Sequence, residues 1–296
     1  MSLASRILFI SALFCTNHVI GQIVGGQQQK LFDLFVMSKY EDCAFKAEGM
    51  TENENTRRDS EPYLYISMCM LEISKIDPEE LDNEYKDPVK EALKYAYKFR
   101  KKDKTGELYK QNVAYFDKLK SAGIAYANNW YEQGKPRKSS SIYKYIIKFD
   151  IEDDNIRFMK GVCDIISMNT QGALDINAAM KGLNKKYKNS NYKPDKVSEP
   201  VLIDAFIIYT DHLAKNEQID SAKTTITFAR DILNENKKIE KQYNKIYGIE
   251  MKEEKAKTKD GMQMIYEKHT SEEQQDQVKK SPEEIQKARV RRNIPK

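Results

Sequence analysis

Histidine, cysteine and clustered carboxylates are the side chains from which a reaction or a metal site would have to be built in this sequence. Of His18, His212 and His269, the first falls in the leader and the last in the C-terminal tail. His212 lies in a helical stretch with no Cys or His at ligand spacing, so no zinc set forms around it. There is no His-Glu-x-x-His, no glycine-rich phosphate loop and no Gly-x-Ser-x-Gly. Acidic pairs such as Asp153-Asp154 are ordinary in a chain with 45 acidic residues, and they carry no acid/base signal. The 18 tyrosines and 11 phenylalanines fall mostly at helical spacing, which assigns them to packing. The expectation is a chain that is not an enzyme and needs no metal or cofactor.

The cysteines carry no clear chemistry, and the compartment is read from the leader. Beyond the leader there are three, Cys43, Cys69 and Cys163, each in an apolar helical context, and an odd, sparse set is not a disulfide framework. Cys43 and Cys69 fall on helices expected to be neighbours, which leaves two alternatives for them, a bridge or two buried thiols. The leader itself has Arg6, a mostly apolar run from Ile7 to Phe14, and Gly21 two residues after Val19. That pattern fits an export signal over residues 1–21, cleaved ahead of Gln22, and its apolar run is too short to span a bilayer of about 30 Å. No Asn-x-Ser/Thr acceptor occurs, which favours bacterial over eukaryotic secretion. The expected location is periplasmic or secreted, in a Gram-negative bacterium, with no transmembrane segment after cleavage. Net charge is +5 from 50 basic and 45 acidic residues, too even a balance for a nucleic-acid binder.

With 40% hydrophobic residues but only 12 Gly and 8 Pro, the chain has the balance of a helical protein. Apolar periodicity predicts helices over Gln28–Met37, Tyr40–Met50, Tyr63–Ser74, Val89–Lys102, Leu108–Gln133, Arg137–Phe149, Ile156–Met168, Gly172–Tyr187, Val201–Ala214, Gln218–Asn234 and Lys237–Lys255. Asp87 reads as an N-cap with Pro88 at the first helical position. Polar Lys188–Ser198 interrupts the pattern, and apolar content collapses beyond Lys257, so residues 257–296 read as a charged tail too poor in aliphatics to fold.

The most informative stretch is Gly123–Met180. At an offset of 34, Ala127 overlays Gly161, Ser139 overlays Ala173 and Ile146 overlays Met180. Each copy is a helix, a polar turn and a second helix, with small residues where the two must touch. Such a hairpin cannot bury its apolar faces alone and has to stack on neighbours. Ala222 follows Ala173 by 49 residues, one repeat plus an insertion of 15.

Ala127, Trp130, Gly134 and Ser139, with Tyr143 and Ile146 after them, resemble the tetratricopeptide repeat (TPR). Gly161 and Ala173 match in the next unit, where Asp164 replaces the aromatic; Thr210, Leu213, Ala222, Ile226 and Ala229 make a looser third. The repeat-ending proline is absent at Ile151, and unit spacing varies. The resemblance implies an all-α, right-handed superhelical array of about five hairpins over residues 28–256, closed by a C-terminal capping helix. It also implies a concave surface, formed by the first helices, that binds protein segments. Carried over by offset, that surface includes Ile124, Asn128 and Tyr131, then Phe158, Val162 and Ile165, then Ile207 and Asp211. Ile124 stands where carboxylate-gripping members have Lys, so that clamp is not implied.

Two functions follow as expectations. The first is an exported scaffold that binds a protein partner on this surface. The second is an envelope protein that binds or acts on carbohydrate or peptidoglycan through the tyrosine-rich groove.

Overall fold

A computed structural model describes residues 28–76, 85–189 and 191–249, all within one compact unit that ends at Ile249. The leader, the acidic stretch after Asp77-Pro78, and everything from Glu250 lie outside the described residues. Among the described residues the secondary structure is helical throughout, with no strand, and no helix is long and apolar enough to cross a membrane.

The helices are α1 (Gln29–Val36), α2 (Tyr40–Glu52), α3 (Glu61–Ile73), α4 (Pro88–Lys102), α5 (Glu107–Gln111), α6 (Val113–Glu132), α7 (Pro136–Phe149), α8 (Asp154–Ile166), α9 (Gln171–Tyr187), α10 (Glu199–Lys215), α11 (Ile219–Ile232) and α12 (Lys237–Tyr247). Their order and limits follow the periodicity closely, with four differences. The stretch predicted as one long helix, Leu108–Gln133, breaks at Asn112, whose side chain turns back to donate to the Leu108 carbonyl at 2.8 Å. Asp87 precedes Pro88 as expected, but its carboxylate does not cap the helix and instead accepts from the Tyr126 hydroxyl at 2.7 Å. The last helix ends at Tyr247 because Gly248 adopts a left-handed conformation (φ 67°), the usual helix stop.

The fourth difference concerns register. Ala127 and Ser139 are both fully buried, as their spacing predicts, but Ala173 is exposed. The small residue at the α8–α9 crossing is Gly172, where a Cβ would run into the Gly161 carbonyl oxygen. Ile176 and Ala179 are buried in turn, so α9 overlays α7 at an offset of 33, one residue short of the 34 that α6 and α8 share.

One turn recurs. In α1–α2, α6–α7, α8–α9 and α10–α11, the residue after the first helix's cap has positive φ: Ser38 59°, Gly134 71°, Met168 62° and Glu217 62°. In all four its N–H reaches the carbonyl three residues back, and the next N–H the carbonyl five back, as in Lys39 to Leu34, Lys135 to Trp130, Asn169 to Asp164 and Gln218 to Leu213. This is the Schellman arrangement. The last three turns are separated by the 34 and 49 residues read from the sequence.

Packing joins neighbours into an array. The pairs α1–α2, α3–α4, α6–α7, α8–α9 and α10–α11 pack within themselves, and α2–α3, α7–α8 and α11–α12 link consecutive pairs. Helix α4 packs on both α6 and α7, and α10 packs on α8 across the insertion. Helix α3 is buried on nearly every side, as its apolar sequence demands, and its Ser67 hydroxyl donates to the Ala92 carbonyl of α4 at 2.6 Å. Helix α12 closes the far end: Ile239 is buried, Tyr243 and Ile246 pack on the core, and Gln242 donates to Thr210 and Asp211 of α10 at 3.0 and 2.6 Å.

Candidate partner-binding faces

The first-helix positions carried over from the repeat pattern divide into three kinds. Phe158 and Val162 of α8 are wholly buried, with the Phe158 ring 4.5 Å from that of Phe206 in α10. They are the contact between hairpins and present nothing to a partner. Ile124 is buried as well. Tyr131, Ile165 and Ile207 are half-buried and keep part of an apolar side chain at the surface. Asn128 and Asp211 are committed internally: Asn128 accepts from the Tyr143 hydroxyl at 2.5 Å, and Asp211 pairs with Lys245 of α12 at 2.8 Å. The row thus contributes three partly open apolar side chains from three different helices.

One turn before Ile124 on the same helix stands a residue that periodicity analysis passes over. Lys120 belongs to the buried stripe of α6, Phe116-Leu119-Lys120-Gly123-Ile124-Ala127, and its side chain is 4% exposed. Its ammonium meets Asp150 at 2.5 Å, Asp153 at 3.0 Å and Asp195 at 2.6 Å. Burial disfavours its charge, but the carboxylates of Asp153 and Asp150 outweigh that and hold its pKa well above the ordinary lysine value. Burial pushes Asp153 up against the pull of Lys120, whereas the more open Asp195 is held below the usual carboxylate range by Lys120 and two backbone amides, despite its own partial burial. A charge inside an apolar helical stripe is the signal by which sequence could have revealed this site.

The carboxylate oxygens of Asp150, Asp153 and Asp195 lie within 4.8 Å of one another, a spacing that also suits a cation. Lys120 already supplies the positive charge there, so the cluster is a salt-bridge anchor. What it anchors is the insertion. Asp195 accepts the amides of Val197 and Ser198 at 2.8 and 3.3 Å, and Asn155 of α8 donates to the buried Ser198 hydroxyl at 3.0 Å. Residues 191–198 therefore sit against α6 and α8, beside the first-helix row.

Asp164 has a similar explanation. Where the repeat pattern has an aromatic, this carboxylate accepts from Ser140 of α7 at 2.6 Å and pairs with Lys160, which also reaches Asp175 of α9 at 2.6 Å. Three helices are tied through a polar bridge instead of a ring. No buried side-chain nitrogen or oxygen among the described residues lacks a partner.

Cys43, Cys69 and Cys163 are free thiols, all buried. Cys43 donates to the Leu31 carbonyl at 3.4 Å. Burial pushes the Cys163 thiol up to about 12. No protein-family model matches the chain, and no curated protein matches it.

Proposed function

We propose that this chain is an exported, non-enzymatic scaffold of TPR-like hairpins, forming a right-handed superhelical array, that binds a protein partner along its first helices. The observation that carries the reading is the recurring Schellman turn, which builds the same helix–turn–helix unit four times. Stacked identical units are how helical repeats make an extended binding surface. Tyr131, Ile165 and Ile207 are the side chains through which this surface meets its partner, and the insertion 191–198 borders it.

Purification of the full-length chain from the envelope of its native host tests this directly. The tagged protein should bring down a discrete partner, which Tyr131→Asp/Ile165→Asp loses while helical content is kept. A protein recovered alone at native expression would count against the proposal. N-terminal sequencing of the exported form should begin at Gln22.

A further inference from the structure

A second surface differs from the first in composition and in the helices that build it. Helices α4 and α7 pack side by side. They run parallel, since Lys90 and Lys138 near their N-termini line one recess, while Arg100 near the end of α4 donates to the carbonyl of Phe149, the last residue of α7, at 3.2 Å. Charge on this pair is one-sided. Helix α4 carries six cations against one carboxylate, Glu91, and α7 carries four against none. An overall charge of only +5 conceals this concentration.

The lysines at the two ends of the α4–α7 groove make no ion pair among the described residues, although one carboxylate stands in each recess, Asp103 at one end and Asp87 at the other. At one end a recess of about 410 Å³ is lined by Lys101, Lys104 and Lys148, and none of the three makes an ion pair among the described residues. Lys101 of α4 and Lys148 of α7 instead share one ring, lying 4.6 and 4.4 Å from the centroid of Tyr97. At the other end a recess of about 130 Å³ holds Lys90, Lys138 and Trp130, with the Lys138 ammonium 4.1 Å from the Trp130 ring centre. Two of the nearby carboxylates are paired with other cations, Asp103 with Arg100 and Glu91 with Lys94, while Asp87 accepts from the neutral Tyr126 hydroxyl and keeps its charge. Ammonium groups resting on aromatic rings, and outnumbering the single carboxylate in each recess, mark a surface that a negative ligand would complete. Tyr97 registers the same field, its phenol held below the usual value by hydrogen bonding to Lys101 and by the charges of Lys101 and Lys148.

We propose that the groove between α4 and α7 docks an acidic, extended polypeptide segment, with carboxylates taken by Lys101, Lys104 and Lys148 at one end and by Lys90 and Lys138 at the other. Lys90 and Lys101 are eleven helical positions apart, about 16 Å along the axis at 1.5 Å per residue. An extended chain covers that distance in about five residues at ~3.3 Å each. Recesses at the two ends of a groove admit a chain that lies between the helices, whereas a flat plane of lipid headgroups would need its cations on a ridge. This surface uses none of Tyr131, Ile165 or Ile207, so it stands or falls independently of the first-helix reading.

Trp130 is the only tryptophan in the chain and sits in one recess, which supplies an intrinsic reporter. The probe is a dye-labelled ten-residue glutamate peptide, added to the full chain at low and at physiological salt, with a glutamine peptide of equal length as control. The expected result is saturable binding with a change in Trp130 emission, at least tenfold tighter for glutamate than glutamine and weakened by salt. Lys101→Glu/Lys148→Glu, at the end remote from Trp130, should weaken it at least tenfold with helical content kept, and Lys181→Glu/Lys215→Glu should leave it unchanged. Absence of saturable binding, equal affinity for the glutamine peptide, or indifference to the Lys101/Lys148 reversal would overturn the proposal. So would tighter binding of anionic lipid vesicles or single-stranded DNA than of the peptide, lost with the same reversal.

Discussion

Lys120 shows how much a single side chain can hold. One buried ammonium against three carboxylates joins α6, the α7–α8 connection and the insertion. Removing one partner of a buried ion cluster typically costs about 3–5 kcal/mol, because the remaining charges stay buried without compensation. Lys120→Met should therefore lower stability by that order in a denaturant titration, far more than Lys181→Met on the exposed side of α9. The pH response has a defined sign. Asp195 is held below its ordinary value, so its contribution is present above about pH 4 and disappears as pH falls through the lower folded value. Asp153, raised by burial, acts in the opposite sense through the same interval, so attachment of the insertion, rather than global stability, is the quantity to follow. Pepsin cleavage within residues 191–198 should appear only below pH 4, and cleavage already at pH 5 would contradict the anchor. The cysteines give a second residue-scale expectation. Cys43, Cys69 and Cys163 are buried free thiols, so a maleimide should leave all three unmodified in the native protein and label all three in denaturant. Only one labelled thiol in unreduced, denatured protein would instead mean that Cys43 and Cys69 are bridged.

At the scale of the element, helix limits were legible from the apolar period, and Pro88 stands at the first position of α4 as the sequence indicates. The break at Asn112 was not legible, since it depends on a side chain choosing the backbone of the preceding turn over the helix that follows. The one-residue shift of α9 was hidden for another reason. Gly172 and Ala173 are both small, and only the close approach of Gly161 decides between them. Gly172→Ala should cost about 1–3 kcal/mol by overpacking, whereas Ala173→Ser on the exposed side should be near neutral. The repeated turn makes the opposite prediction at Met168, a 95% exposed non-glycine residue at φ 62°. Left-handed backbone costs an L-residue roughly 1–2 kcal/mol, so Met168→Gly should stabilise the protein by about 1 kcal/mol in the same titration.

For the whole molecule, the 34-residue overlay and the 49-residue step pointed to hairpins, and the turns recur at those intervals. What lay beyond the sequence was which of the first-helix side chains stay open. Phe158 and Ile207 are equivalent by spacing, yet one is buried under α10 and the other keeps a surface. That outcome depends on where the next hairpin lands, and the Lys120-anchored insertion lies on the path to it. The cationic α4–α7 groove was likewise concealed by a balanced total, because charge segregates only once helices are placed side by side. Partner binding along the first-helix row is the proposal on which the function rests. Site-specific photo-crosslinking in the native host tests it most directly, with the photoreactive residue at position 131 or 165 and, as control, at 181 on α9. Discrete crosslinked protein at 131 and 165 with none at 181 is the predicted result; no product at 131 and 165, or equal products at all three, would contradict it.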